Sequence, residues 1–209
     1  MCRVMAADKR DFLFRFIPQT VRKNLLLDDE AVYSTTDQVT ARRMCDELVK
    51  FIPPHNTVVD ATACVGGLTY TLTSVFRKVI AIEIDAIKYQ YLKSNMDLLC
   101  VSDSVECVHG DALDVCKGLD VAAIIIDPPW GGPQYKKEQS IRLRLGNKDI
   151  AEVCLQFFNE NPQVTIIGLK VPTNFDEGAF KEEILPHKVI HKAHLRKMHV
   201  IIIAKKVTE

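Results

Sequence analysis

Short apolar runs alternate with longer amphipathic segments along most of the chain. The apolar runs predict β-strands at residues 57–60, 79–84, 105–108, 121–126 and 164–169. Apolar residues at helical spacing predict helices at residues 37–52, 68–76, 86–99, 150–159 and 177–185. The strand runs lack polar alternation, so both faces of the predicted sheet are expected to be buried.

Strand and helix in alternation predict a parallel sheet covered by helices on both faces. The last two apolar runs, 188–195 and 198–206, are separated by only a couple of residues. That gap is too short for a helical crossover, so these two strands should pair antiparallel. The expected fold is an α/β sandwich, with a mainly parallel seven-stranded sheet and an antiparallel C-terminal hairpin. This order of elements resembles the Rossmann-like class I methyltransferases.

Composition places the chain among ordinary globular proteins. Its 209 residues are 47% hydrophobic, and 27 Lys and Arg balance 27 Asp and Glu, which excludes disordered, collagen-like and coiled-coil proteins. No apolar run approaches the ~20 residues that span a bilayer, and charges interrupt the N-terminal residues, so we expect no membrane partner and no secretory leader. Seven irregularly spaced cysteines predict buried thiols and an intracellular, reducing compartment, the cytoplasm or nucleus.

Basic residues are concentrated in two segments although the formal net charge is zero. Segment 184–208 contains six Lys or Arg, four His and no acid, and segment 136–148 contains five Lys or Arg. Phosphate contacts require such local basic surface. Solvated strand and loop faces explain the same pattern equally well, so these segments matter only if they flank a site.

Acidic residues lie at the carboxyl ends of the first three predicted strands, and the loop after the first strand ends in Gly66-Gly67. Glycines at such a turn let the backbone approach a ligand, but the leading Asp60 fits neither a dinucleotide motif nor a P-loop. Asp60 suits a ligand ammonium group, Glu83 suits ribose hydroxyls, and Asp111 can accept an adenine amino group. Each acid alone is also a common turn or cap residue, whereas the three together predict S-adenosylmethionine.

The fourth strand leads into the sequence Asp-Pro-Pro-Trp-Gly-Gly-Pro at residues 127–133. The prolines leave carbonyls without competing N–H donors and fix the backbone. A nucleobase amine is a poor nucleophile because its lone pair is delocalised into the ring. If Asp127 and the Pro128 carbonyl accept its two N–H groups, the lone pair turns toward the methyl donor. Trp130, the only tryptophan, can stack on a base, with a cation–π gain for a charged base.

The segment at residues 127–135, Asp-Pro-Pro-Trp-Gly-Gly-Pro-Gln-Tyr, resembles the Ser-Pro-Pro-Trp-Gly-Gly-Pro-x-Tyr motif of trimethylguanosine synthases. These enzymes methylate N2 of the 7-methylguanosine cap of RNA. Tyr-Ser-Thr-Thr at 33–36 is similar to the family's Phe-Ser-Val-Thr, and Ile-Glu-Ile-Asp at 82–85 to its Ile-Asp-Ile-Asp. The likeness covers residues 24–135 well. The Trp-Gly-Gly-Pro extension is its specific part, because Asp-Pro-Pro-aromatic alone is shared with many amino methyltransferases.

This resemblance implies S-adenosylmethionine as the cofactor, without a metal, and capped RNA as the partner; we expect a monomer. The implied catalytic residues are Asp127 and Pro128. The implied cofactor ligands are Thr36, Asp60, Ala61, Thr62, Gly66, Glu83, Ile84, Asp111 and Ala112. The implied substrate ligands are Ser34, Asn95, Trp130, Lys136 and Asn174. Residues 1–36 are expected to form an N-terminal extension that contributes to the substrate cleft of a methyltransferase domain at residues 37–209.

Departures from the family pattern keep other substrates open. Asp127 stands where the family commonly has Ser, as in adenine-N6 enzymes, and Thr173 stands where the family has a phosphate-binding Arg. Lys170 or Lys136 is the expected substitute for that Arg. The first hypothesis is a cap guanine-N2 methyltransferase, and the second is an amino methyltransferase of guanine N2 or adenine N6 in internal RNA or DNA. A cap-binding module without activity is disfavoured by the intact cofactor residues.

Overall fold

The computed structural model describes residues 8–206. The first seven residues of the predicted extension and the end of the basic segment, residues 207 and 208, lie outside the described residues. The α-helices are α1 (Arg10–Leu13), α2 (Gln19–Arg22), α3 (Ala31–Ser34), α4 (Gln38–Leu48), α5 (Gly67–Thr73), α6 (Ala86–Leu98), α7 (Ala112–Val115), α8 (Ile150–Glu160) and α9 (Glu177–Glu183). The strands are β1 (Thr57–Asp60), β2 (Lys78–Glu83), β3 (Val105–His109), β4 (Ala123–Ile126), β5 (Arg144–Leu145), β6 (Lys148–Asp149), β7 (Ile166–Pro172), β8 (Lys188–His194) and β9 (Met198–Ala204).

Seven of these strands form one sheet in the order β3-β2-β1-β4-β7-β9-β8. The first five strands in this order run parallel, and β9 runs antiparallel to both β7 and β8. The predicted fold is therefore confirmed, including the antiparallel C-terminal hairpin. The strand order reverses between β1 and β4, and in sheets of this kind ligands bind at the carboxyl ends of the strands beside that reversal.

Two apolar clusters explain why the strands are hydrophobic on both faces. One cluster, which includes Phe157 and Phe158 of α8, covers one face of the sheet. The second cluster, which includes Met44 of α4 and Leu92 of α6, covers the other face. Every residue of β4 and β7 is buried as a result. In the part of the chain that the structure describes, no helix is both long and apolar enough to cross a membrane.

The N-terminal segment before α4 packs on the main domain through a small apolar cluster of its own. Leu13, Phe14 and Leu25 are buried in this cluster, against the C-terminal end of α6. Three helices of four residues each, α1 to α3, form the segment. The hydrophobic pattern did not predict them, because one turn of helix is too short to show a helical period.

Asn95 of α6 joins this segment to the loop after β1. Its Oδ1 accepts a hydrogen bond from the Leu26 N–H (2.8 Å), and its Nδ2 donates to the carbonyls of Leu26 (3.0 Å) and Val65 (2.9 Å). The side chain is 1% exposed, and both of its amide hydrogens are used within the protein. The prediction that Asn95 binds substrate is therefore wrong, and its role is structural.

We expect Asn95→Leu to lower the free energy of unfolding by about 2 to 4 kcal/mol, because it leaves buried backbone groups at Leu26 and Val65 without partners. Chemical denaturation measures this loss. Asn24→Ala is a matched control, since Asn24 makes a single exposed hydrogen bond to Thr20 (3.0 Å). A stable Asn95→Leu protein that had lost only substrate affinity would contradict the structural role.

Candidate active site

The predicted site residues meet at the carboxyl edge of the sheet, beside the reversal of strand order. Asp60 ends β1, Glu83 ends β2, and Asp127 directly follows β4. The Thr62 hydroxyl accepts a hydrogen bond from the Asp127 N–H (2.8 Å), which ties the loop after β1 to the Asp-Pro-Pro-Trp segment. Ala61, a predicted cofactor residue in the same loop, is buried and donates its N–H to the Ile125 carbonyl (2.9 Å).

The two glycines of this loop serve packing within the protein. Gly66 adopts a left-handed conformation (φ 97°) as the N-cap of α5, which an L side chain would strain. A Cβ on Gly67 would lie 2.5 Å from the carbonyl oxygen of Thr36. The small residue therefore lets Thr36, which is 6% exposed, pass directly over the start of α5 and reach the site.

Asp60 is buried beneath the loop. Its carboxylate accepts hydrogen bonds from the Thr69 hydroxyl (2.7 Å) and, at 3.4 Å, from the Thr62 N–H. Burial, reinforced by the nearby charges of Asp127 and Glu83, raises the pKa of Asp60 to about 6. Only 1% of Asp60 is exposed, so its carboxylate orders the loop from beneath through these hydrogen bonds. Direct contact of Asp60 with a ligand ammonium stays a prediction.

We expect Asp60→Asn to stabilise the ligand-free protein at pH 7 while it weakens binding of S-adenosylmethionine. The raised pKa of Asp60 in the folded state means that folding favours the protonated carboxyl, so its stabilising effect is lost as pH rises from about 4 to about 6. At pH 7 the ionised group costs roughly 2 to 3 kcal/mol, which the neutral amide avoids. Thermal unfolding and calorimetric titration measure the two effects.

Asp103→Asn provides the control for this prediction, because Asp103 is an exposed acid just before the amino end of β3, at the edge of the sheet opposite the site. It should leave cofactor affinity unchanged. A destabilised Asp60→Asn protein with normal cofactor affinity would contradict both parts of the prediction.

Glu83 is held in a fixed orientation at the end of β2. Its two carboxylate oxygens accept hydrogen bonds from the N–H groups of Cys64 (2.8 Å) and Asp85 (2.8 Å). The next residue, Ile84, is 64% exposed and offers apolar surface beside the carboxylate. A carboxylate next to an exposed apolar side chain fits a ribose joined to an adenine.

Asp111 follows β3 and is the N-cap of α7, where it accepts a hydrogen bond from the Leu113 N–H (2.9 Å). Ala112, the first residue of α7, is buried. Asp111 therefore serves as a helix cap, and its contact with an adenine amino group stays a prediction.

Negative charge predominates at this edge of the sheet. Four carboxylates and one buried lysine lie there: Asp60, Glu83, Asp111, Asp127 and Lys170. This balance of charge suits the cationic S-adenosylmethionine.

Lys170 of β7 forms an ion pair with Asp127. The Lys170 Nζ lies 2.5 Å from Asp127 Oδ2 and donates to Thr36 Oγ1 (2.9 Å), and the Thr36 hydroxyl donates to Asp127 Oδ2 (3.1 Å). Lys170 is 5% exposed. The expectation that Lys170 replaces a phosphate-binding Arg is therefore wrong, because its ammonium is buried and paired. A lone Lys in an otherwise apolar strand run was the sequence signal for such a pair, since buried lysines require partners.

Trp130 is half-buried just beyond Asp127. Its ring makes an edge-to-face contact with Tyr135 (centroids 5.2 Å apart), and the Lys170 Nζ lies 5.2 Å from the Trp130 ring centroid.

Two other predicted substrate residues are exposed. Lys136 has its Nζ 5.7 Å from the centroid of the Tyr135 ring, and Ser34 lies at the end of α3. Substrate contacts of these two residues stay predictions.

Asn174 anchors the segment that follows Trp130. Its Nδ2 donates hydrogen bonds to the carbonyls of Tyr135 (2.8 Å) and Glu138 (2.8 Å). Both amide hydrogens are used within the protein, and the substrate contact of Asn174 stays a prediction. Its Oδ1 is buried and accepts no hydrogen bond from the described residues. Asn174 thus fixes the backbone of the segment that follows Trp130.

Part of the basic surface is neutralised within the protein. Arg142 pairs with Asp149 (2.8 Å) and Glu183 (2.5 Å), and Lys192 pairs with Glu177 (2.5 Å). These basic side chains are less available to phosphates than the sequence suggested.

Comparison with known families decides the class of this site. A family model described as RNA cap guanine-N2 methyltransferase matches residues 55–185. The chain belongs to this family. The protein is therefore an S-adenosylmethionine-dependent methyltransferase. The carboxylates at the strand ends and the Asp-Pro-Pro-Trp segment all lie within the matched residues.

Two relatives of this methyltransferase cover different shares of its chain. An uncharacterized protein of Acanthamoeba polyphaga mimivirus is 27% identical over an alignment of 220 positions. The alignment covers 92% of this chain and 84% of that protein. A trimethylguanosine synthase of Schizosaccharomyces pombe is 34% identical over 119 residues, which cover 54% of this chain and 49% of that protein. The likeness to the second thus extends over about half of each chain.

Solved structures of other methyltransferases share the fold. Methanocaldococcus jannaschii Trm5 in complex with adenosine superposes with a TM-score of 0.56 at 15% identity, covering 88% of this chain and 51% of that one. The Bacillus subtilis tRNA methyltransferase TrmK superposes with a TM-score of 0.56 at 15% identity, covering 78% and 66%. At such identities the likeness establishes the fold alone.

Proposed function

We propose that this methyltransferase transfers a methyl group from S-adenosylmethionine to N2 of the 7-methylguanosine cap of RNA. The observation that carries the proposal is a paired acceptor next to a tryptophan at the end of β4. Asp127 Oδ1 makes no hydrogen bond to the described residues, and the Asp127 side chain is 14% exposed. No described residue donates to the Pro128 carbonyl either. Trp130 follows two residues later.

These two acceptors suit the two N–H groups of a guanine amine. When they hold both hydrogens, the nitrogen lone pair is turned away from them and toward the cofactor edge formed by Glu83 and the loop after β1. Bound S-adenosylmethionine supplies an electrophilic methyl group on a sulfonium, and the sulfur leaves as a thioether when the new N–C bond forms. The nitrogen then carries a positive charge, which Asp127 stabilises until solvent water takes up a proton from this nitrogen. Orientation and electrostatics suffice for this chemistry.

The fit of the cofactor rests on the acceptor groups at the strand ends. Glu83 is oriented by two backbone N–H groups, Ile84 is exposed beside it, and the carboxylates outnumber the single buried lysine. We propose Thr36, Asp60, Thr62, Glu83 and Asp111 as the polar surroundings of S-adenosylmethionine. Asp60 acts from beneath the loop.

Methyl transfer from labelled S-adenosylmethionine tests the substrate. The protein is incubated with three RNAs of one sequence, bearing a 7-methylguanosine cap, an unmethylated guanosine cap or no cap. We expect label in the first RNA, and mass spectrometry of the released cap gives the number of methyl groups added. Label in the uncapped RNA alone would refute the cap assignment.

A second candidate function is amino methylation of guanine N2 or adenine N6 in internal RNA or DNA. The charged Asp127, in place of the neutral Ser common in cap enzymes, favours this alternative. The uncapped RNA, and a DNA of the same sequence, distinguish it in the same assay.

We also propose that the methyltransferase works in a reducing compartment. All six cysteines among the described residues are unpaired. Burial raises the pKa of Cys45, Cys64 and Cys116 to about 12, so these thiols are protonated and unreactive at neutral pH.

A further inference from the structure

Lys170 lies at the point where three parts of the site meet. Its ammonium contacts Asp127 after β4, Thr36 from the N-terminal segment, and one side of the Trp130 ring. Among the charged residues at this edge of the sheet it is the only buried cation that the structure describes. A buried lysine needs compensating partners, and here every partner belongs to the proposed site.

The ion pair makes the two oxygens of Asp127 different. Oδ2 accepts from both Lys170 (2.5 Å) and Thr36 (3.1 Å), whereas Oδ1 accepts from no described residue. The carboxylate is held on one side by two donors, and a single oxygen is left for an incoming amine. Without Lys170 the Asp127 side chain could rotate and present either oxygen.

The same ammonium covers part of the tryptophan. A cation within about 6 Å of an indole centroid interacts with its π face, and the Lys170 Nζ lies at 5.2 Å. Tyr135 contacts the ring in an edge-to-face arrangement. A substrate base is therefore confined to the face of Trp130 that Lys170 leaves open.

We propose that Lys170 is a positioning residue for methyl transfer. It pairs with Asp127 so that only Oδ1 receives the substrate amine, and it restricts the base to one face of Trp130. This inference rests on the proposed function insofar as Asp127 and Trp130 contact the substrate base. The bond-forming step is unchanged, since Lys170 neither gains nor loses a proton.

A double-mutant cycle tests the pairing through kcat. Lys170→Met should lower kcat about tenfold to a hundredfold, the effect of losing a hydrogen bond to a charged group, with S-adenosylmethionine affinity within about threefold of the wild type. Asp127→Ser supplies a neutral acceptor but leaves Lys170 unpaired, so it should also be poorly active. The double variant should have a higher kcat than Asp127→Ser alone, because both buried charges are removed together.

Two further variants separate positioning from folding. Lys170→Gln keeps a donor for Asp127 Oδ2 and should retain more kcat than Lys170→Met. Lys78→Met is the matched control, since Lys78 pairs with Glu106 (2.7 Å) at the opposite end of β2, and it should leave kcat unchanged. Fluorescence gives a readout that needs no substrate: with one tryptophan in the chain, Lys170→Met should alter Trp130 emission and Lys78→Met should not.

The cycle is measured on whichever nucleic acid the wild-type protein methylates, so it is decided separately from the cap assignment. Label in uncapped RNA alone refutes the proposed function and leaves the Lys170 cycle measurable on that RNA. A Lys170→Met kcat within about threefold of the wild type, additive single variants, or unchanged Trp130 emission would each overturn the positioning role.

Discussion

Asp127→Asn is expected to lower kcat by about a hundredfold or more while S-adenosylmethionine still binds. The side-chain amide of Asn presents one oxygen acceptor and one NH₂ donor group. If its oxygen faces Lys170 and Thr36, the NH₂ group points at the substrate amine; if it turns over, the NH₂ group meets the Lys170 ammonium. Either orientation loses a hydrogen bond to a charged group and brings two donors together, which accounts for a loss of this size.

Single-turnover kinetics with a saturating cofactor measures this effect, and calorimetry checks cofactor affinity. Thr36→Val is the graded control, since it removes one of the two donors to Asp127 Oδ2 and keeps the Lys170 ion pair. Its loss should be several-fold. Full activity in Asp127→Asn would exclude Asp127 as the acceptor of the amine.

Trp130→Ala is expected to lower kcat/KM for capped RNA by about tenfold to over a hundredfold. Base stacking on an aromatic ring contributes about 1 to 3 kcal/mol, and each 1.4 kcal/mol corresponds to about tenfold. A 7-methylguanine carries a positive charge, so a cation–π contribution of about 0.5 to 2 kcal/mol adds a preference over guanine of a few-fold to about thirtyfold. Trp130→Phe should shrink this preference, and Trp130→Ala should nearly abolish it.

Initial rates on capped RNAs with and without the N7 methyl group measure the preference. Lys136→Ala serves as a comparison, because an exposed lysine that contacts phosphate should lower both rates alike and flatten the salt dependence. Equal rates on the two RNAs by the wild-type protein would overturn the cap assignment, since neither charge nor stacking would then distinguish the substrates.

The sequence by itself determined the sheet and the edge at which the site lies. Continuous apolar runs predicted buried parallel strands, and the short gap before Met198 predicted the antiparallel hairpin, because these features depend on neighbouring residues and on hydrophobic burial. The acids at the carboxyl ends of the first three strands and Asp127 after the fourth could be located in the same way. Parallel strands bring their carboxyl ends to one edge of the sheet. Motifs that are far apart in the sequence could therefore be predicted to lie close together in space.

The tertiary structure alone decided what the polar side chains of that cluster contact. Asn95 donates a hydrogen bond to Leu26, 69 positions away, and is structural where a resemblance had implied a substrate contact. Asn174 donates a hydrogen bond to Tyr135, 39 positions away. Lys170 meets Asp127 across 43 positions and Thr36 across 134. Amide and ammonium groups form hydrogen bonds with whichever partners the packed chain brings within about 3 Å, and hydrophobic pattern carries no information about such distant partners.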